Sequence, residues 1–99
     1  MTTARFVATG PVTYDADNPA AGSVLVTTTL SPGLAPLLTR LNGIVAETGS
    51  VLSHLAILAR EAGVATVVGY AGAMDDLREG AVVRVDGENG QVTVQEEEA

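Results

Sequence analysis

The chain holds a single histidine, His54, in the stretch GSVLSHLAILAREAGVATVVG that spans residues 49–69. Ser53 before it has the chemistry of a helix N-cap, and Gly63 after it that of a C′ residue. A histidine in that first turn lies among amides with no intrahelical partner, at the positive end of the helix dipole. The dipole disfavours the imidazolium, and the same amides stabilise an anion carried by the ring or approaching it. Thr48, Gly49 and Ser50 precede it, allowing close backbone approach and adding hydroxyl donors. This set suits a nucleophile that carries a phosphoryl group. A metal site is not expected: there is no second histidine and no cysteine, and no carboxylate has ligand spacing on this helix face. A serine-hydrolase triad is not expected either, because GSVLS lacks the nucleophile elbow and His54 directly follows Ser53. Arg60 lies six positions along, on a different helix face, where it and Glu61 suit an ion pair or the docking of a partner. An ordinary capping-region histidine satisfies the same spacing, so these residues alone leave both readings open.

Strand and helix signals alternate around this segment. Residues 5–14, RFVATGPVTY, read as extended, with Gly10-Pro11 marking a bend or bulge. DADNPAAG (15–22) is turn-rich, and SVLVTTT (23–29) is a β-branched second strand. Ser31-Pro32 opens a short helix through LAPLLTRL (34–41), ended by Gly43, before the buried strand IVA (44–46). The loop ETGSVL (47–52) leads to the histidine helix, whose Leu55, Leu58, Ala59 and Ala62 share one apolar face. TVVG (66–69) is a further buried strand, and AMDDLREG (73–80) a single helical turn. AVVRV and QVTV flank DGENG and form an antiparallel hairpin. One α/β domain over residues 1–95, followed by an acidic tail over 96–99, accounts for the chain.

Composition narrows the function classes. With 46% apolar but only 3% aromatic residues, the core is built from Val, Leu, Ile and Ala. The net charge is −7, and all five basic residues are arginines. Nucleic acid is therefore not an expected partner, since no clustered positive footprint is available. The absence of lysine excludes a P-loop lysine, a Schiff-base lysine and a Ser-Lys dyad. No apolar run approaches the ~20 residues of a membrane span, and MTTARF has no secretory character. A cytoplasmic location is expected.

The segment GIVAETGSVLSHLAILAREAGVATVVG (43–69) resembles the phosphohistidine, or swivelling, domain of phosphoenolpyruvate-utilising enzymes. That group includes pyruvate phosphate dikinase, phosphoenolpyruvate synthase, Enzyme I and rifampicin phosphotransferase. Gly49, Ser53, His54, Ala56, Ala59, Arg60, Glu61, Gly63, Val67, Val68 and Gly69 fall on the positions of the family signature. SVLVTTTLSPGLAPLL (23–38) and GAVVRVDGENGQVTV (80–94) extend the similarity over most of the chain. The resemblance implies a swivelling β/β/α fold with His54 exposed at a helix start. It also implies that His54 accepts a phosphoryl group through Nε2 and passes it on, with Thr48, Gly49, Ser50 and Ser53 supporting the phosphate. ATP with Mg, or phosphoenolpyruvate, is then implied on partner domains; no cofactor is expected on this chain itself. The implied partner is a nucleotide-binding, phosphoenolpyruvate-binding or acceptor-binding protein or domain. The chain is thus expected to be a component of a phosphotransferase, not a complete enzyme alone.

Several positions depart from the signature. Ser50 replaces the second glycine of a Gly-Gly pair, Leu55 replaces a small residue, and Ala65-Thr66 replaces Pro-Ala. Leu52 stands where dikinases often have a regulatory threonine, so that control is not carried over. Ser50 and Leu55 are the main support for an alternative, a non-catalytic binding or regulatory module retaining the swivelling fold. The initiating Met and the polar acidic end favour a stand-alone carrier over a domain excised from a longer enzyme.

Overall fold

The computed structural model describes residues 7–50 and 53–96. Six strands form one sheet: β1 (Val7–Thr13), β2 (Ser23–Thr27), β3 (Leu41–Ala46), β4 (Ala65–Val67), β5 (Val82–Asp86) and β6 (Gln91–Glu96). Their order is β4-β3-β2-β1-β5-β6. The four strands β4 to β1 run parallel, and β5 and β6 join β1 as antiparallel neighbours. A 3₁₀ helix (Pro32–Leu37), α1 (His54–Glu61) and the single turn α2 (Ala73–Asp76) complete the α/β fold. The expected strand start at residues 5 and 6, Val51–Leu52 of the histidine loop, and tail residues 97–99 lie outside the described residues. Glu96, assigned to the tail from the sequence, closes β6 opposite Val82.

Alternation along the buried strands sorts side chains to two cores. Leu25 and Ile44 point to one face, where Leu34, Leu38, Leu55, Ala59 and Val64 cover them from the 3₁₀ helix, from α1 and from the residues that follow each. Val24, Val26 and Val45 point to the other face, against Val83 and Val85 of β5 and Ala73 and Leu77 around α2. The sheet curls so far that β5 packs across β3. A Cβ added at Gly43 would lie 3.3 Å from Val85 Cγ2 and 3.2 Å from the Ala65 carbonyl oxygen. Aliphatic side chains of Val and Ala size fill this narrow interior, which is why the chain manages with so few aromatics.

Three local expectations need correction. Gly43 does not end a helix; it sits inside β3, where a side chain would press against the Ala65 carbonyl and Val85. The preceding helix stops at Leu37 and is 3₁₀, with Leu34 N donating to Ser31 O at 2.9 Å and Leu38 N to Ala35 O at 3.3 Å. Pro36 explains the change, since it has no N–H to donate to the carbonyl of Pro32 four residues back. Gly10-Pro11 makes no bulge: Thr9, Gly10 and Pro11 pair in register with Arg84, Val83 and Val82. Gly10 is needed because a Cβ there would lie 2.3 Å from the Gly22 carbonyl oxygen.

Candidate functional site

The parallel strands β2, β3 and β4 all point their carboxyl ends toward one edge of the sheet, the edge where open α/β sheets hold ligands. The loop after β3 delivers His54 there, as the first residue of α1. Ser53 is the N-cap in extended conformation, its Oγ accepting from Ala56 N at 3.3 Å and its carbonyl from Ile57 N at 3.1 Å. At the other end Gly63 takes φ 80°, with its N–H on the Arg60 carbonyl (3.0 Å) and Val64 N–H on the Ala59 carbonyl (2.9 Å). That is the Schellman closure expected of a C′ glycine. Leu55, Ala56 and Ala59 are buried and Leu58 is partly buried. Ala62, assigned to the apolar face from the sequence, is exposed, because the helix ends at Glu61 and leaves Ala62 as its C-cap. His54 is exposed.

The loop entering α1 is anchored near its start. Thr48 N and Thr48 Oγ1 both donate to the Thr28 carbonyl, at 2.9 and 3.0 Å. The Thr48 hydroxyl hydrogen is directed to the Thr28 carbonyl, and the side chain so holds the loop in place. Gly49 has φ 129°, a conformation an L side chain rarely adopts. Ser50 is exposed, and its carbonyl accepts from Ser53 N at 3.0 Å. No described residue other than glycine has positive φ, so serine at position 50 introduces no left-handed strain. Leu55, the other departure from the family signature, is 4% exposed and packs into the core beneath α1.

An apolar cavity of about 330 Å³ opens between the 3₁₀ helix and α1, walled by Leu30, Pro32, Ala35, Leu55 and Leu58. His54 and Ser53 complete its lining, and Ile57, one helical turn on from His54, is 43% exposed. A larger cavity of about 390 Å³ lies at the opposite end of α1, against Gly22, Arg40, Asn42 and Gly63, and contains none of the residues singled out for chemistry. Arg60 and Glu61 are exposed on the last turn of α1, away from the histidine. Arg60 forms no ion pair with a carboxylate among the described residues.

Residues around α2 join this edge without any signal in the sequence pattern. Met74 N donates to Glu47 Oε2 at 3.0 Å, and Thr28 Oγ1 donates to Met74 Sδ at 3.2 Å. The Tyr14 hydroxyl is shared between the carbonyls of Met74, at 3.0 Å, and Leu77. Burial, and then the carboxylates of Asp75, Glu79 and Glu47, push the Tyr14 phenol above its ordinary value. Tyr70 is also raised, by burial first and then by its hydrogen bond to Asp76 Oδ2. Gly72 is the N-cap of α2 and has no side chain, which leaves the first amides of α2 to be capped from elsewhere.

Comparison with known proteins agrees with the geometry. Residues 19–90 match the family described as PEP-utilising enzyme, mobile domain. The chain is 40% identical over 93 residues to the uncharacterized phosphotransferase YvkC of Bacillus subtilis, covering 89% of this chain and 11% of that one. It is 38% identical over 79 residues to a probable phosphoenolpyruvate synthase of Methanothermobacter thermautotrophicus (80% and 12%), and 39% over 74 residues to a rifampicin phosphotransferase of Streptomyces sviceus (75% and 8%). It thus spans about a tenth of the length of these relatives. The fold superposes on the solution structure of the Enzyme I (nEIt) protein with a TM-score of 0.70 at 27% identity, covering 85% of this chain and 35% of that one. For the N-terminal domain of Enzyme 1 - Nitrogen the values are 0.62, 29%, 80% and 34%. The swivelling phosphohistidine-type fold expected from the sequence is the fold observed. Among the described residues, no helix is long and apolar enough to cross a membrane.

Proposed function

The chain belongs to the mobile-domain family of PEP-utilising enzymes, and from that premise we propose that His54 is a phosphoryl carrier. The observation that carries this reading is the exposed His54 as first residue of α1, capped by Ser53, at the carboxyl edge of the parallel strands. The Nε2 lone pair attacks the phosphorus of the donor. A P–N bond forms, the bond from phosphorus to the donor's leaving oxygen breaks, and that oxygen keeps the electron pair. Nδ1 retains its proton through the attack. In the second half an acceptor oxygen attacks the same phosphorus, and the P–N electrons return to the ring.

First-turn amides of α1, Gly49, Ser50 and the Ser53 hydroxyl hydrogen face the group so formed. Thr48 keeps the loop in register through Thr28. The chain has no lysine and no nucleotide-binding motif, so ATP with Mg or phosphoenolpyruvate is held by another module, on the same or a separate polypeptide. That module and the acceptor supply the cations that neutralise the transferred group. Arg60 and Glu61 are left for docking such modules. We take the cytoplasm, where these donors are held, as the compartment of this traffic.

Intact-protein mass spectrometry at mildly alkaline pH tests the carrier role. The chain is incubated with cell extract and either ATP-Mg or phosphoenolpyruvate. The expected result is a single acid-labile phosphoryl adduct that is absent in His54→Ala, with the fold unchanged because the residue is exposed. A folded chain that takes no adduct from either donor, beside a control enzyme that does, leaves the binding module as the function.

A further inference from the structure

The hydrogen bonds around α2 form a closed ring with the loop that carries the histidine. Glu47 Oε2 accepts from Met74 N, Met74 Sδ accepts from Thr28 Oγ1, and the Thr28 carbonyl accepts twice from Thr48. The peptide bond from Thr48 to Glu47 completes the circuit. Met74 N is the amide that an N-cap side chain would ordinarily satisfy, and Gly72 has none to offer. A carboxylate 27 residues earlier in the chain does that work instead. The same ring ties together the segments that follow β2, β3 and β4, the three strands whose carboxyl ends frame the site.

The geometry points to Glu47 as a positioning residue for phosphoryl transfer at His54, an inference that rests on the carrier reading. By gripping α2, Glu47 sets where Thr48 meets Thr28, and so fixes the start of the loop that brings Gly49 and Ser50 beneath the phosphoryl group. Its role is geometric: it accepts one amide hydrogen and touches neither the imidazole nor the phosphorus. A neutral acceptor of the same length should therefore replace it.

Native chain, Glu47→Ala, Glu47→Gln and Thr28→Val are compared in two measurements. The first is amide hydrogen exchange at Met74 and Thr48. The second is the rate at which phosphoramidate phosphorylates His54, followed by ³¹P NMR. In that reaction Nε2 attacks phosphorus, the P–N bond of phosphoramidate breaks, and ammonia leaves. Glu47→Ala should speed exchange at both amides about fivefold, the equivalent of one lost cap, without shifting distant amides. It should also slow phosphorylation. Glu47→Gln should restore both, because its carbonyl accepts the same hydrogen. Thr28→Val, which opens the ring at Met74 Sδ and leaves Glu47 intact, should act in the direction of Glu47→Ala and covers the case in which that variant fails to fold.

Unchanged exchange at Thr48, or an unchanged rate in both Glu47→Ala and Thr28→Val, would overturn the proposal. So would faster phosphorylation in Glu47→Ala and Glu47→Gln alike, since the carboxylate would then be acting through its charge. If the native chain takes no phosphoryl group while free histidine in the same tube does, the carrier reading fails and the reaction role of Glu47 with it. The exchange data would still report whether the ring exists.

Discussion

Replacing Ser53 separates the stability of α1 from the chemistry of its first residue. Ser53 Oγ accepts from Ala56 N at 3.3 Å, and Ala56 is fully buried, so water cannot easily take over that amide. Ser53→Ala therefore costs about 1 kcal/mol, the middle of the range for a lost N-cap. In a domain of this size that lowers Tm by about 4–8 °C. Ser53→Asp keeps an acceptor for the same amide, and its charge suits the positive end of the helix, so Tm should return to the native value. Phosphorylation should follow a different order. Ser53→Ala still leaves the first-turn amides open to the phosphoryl group, and its rate should fall only modestly. Ser53→Asp puts a carboxylate on those amides one residue from His54, where it competes with and repels the incoming anion, and labelling should be largely lost. The assay pairs thermal unfolding by circular dichroism with ³¹P NMR of the phosphoramidate reaction. An unchanged Tm in Ser53→Ala would show that the cap does not hold the first turn. A Ser53→Asp chain labelled as fast as the native one would refute the assignment of the first-turn amides to the phosphoryl group.

Other perturbations test the frame around the site. Ala59→Asp buries an unpaired carboxylate between α1 and β3, at a position 1% exposed, and should cost about 3 kcal/mol or more; a native unfolding midpoint in urea would mean the buried face is misassigned. Two glycine-to-alanine changes should differ by their surroundings. At Gly63 a Cβ meets nothing within 4 Å, and only the positive φ opposes it, for about 1 kcal/mol. At Gly10 it runs into the Gly22 backbone, so Gly10→Ala should be the more damaging of the two, and equal Tm values would contradict the close approach of β1 to Gly22. Asp86 accepts from the Asn89 side chain and from the amides of Asn89 and Glu88, which hold its carboxyl below the usual value. A depressed folded value stabilises the fold above the ordinary carboxylate pKa of about 4, and that contribution fades as pH falls through the lower folded value. Asp86→Asn should therefore flatten the acid limb of a stability–pH curve read by urea unfolding, and an equally steep limb would place the titration elsewhere.

What could be read along the chain was whatever is decided within a few residues. Ser53 and Gly63 bracket α1 as their chemistry demands, because capping involves amides and carbonyls no more than four positions away. The turn between β5 and β6 is equally local, built by Asp86 reaching Glu88 and Asn89, with Gly90 at φ 70°. The position of His54, and hence the candidate chemistry, followed from those signals together with the family signature. Tertiary structure decided what depends on approach between distant segments. Gly43 looked like a helix terminator but serves the packing of Val85 from 42 residues later, and no local pattern contains that neighbour. Gly10 looked like a bend but makes room for a carbonyl that reaches it from Gly22. Thr48 offered a hydroxyl in the right loop, and the return of β2 places the Thr28 carbonyl where it accepts that hydrogen. Glu47 gave no signal of its own, and its partner at Met74 exists only because the curled sheet brings α2 over the end of β3. Local bonding rules put His54 at the start of α1, and the curl of the sheet brought together the residues that hold its loop in place.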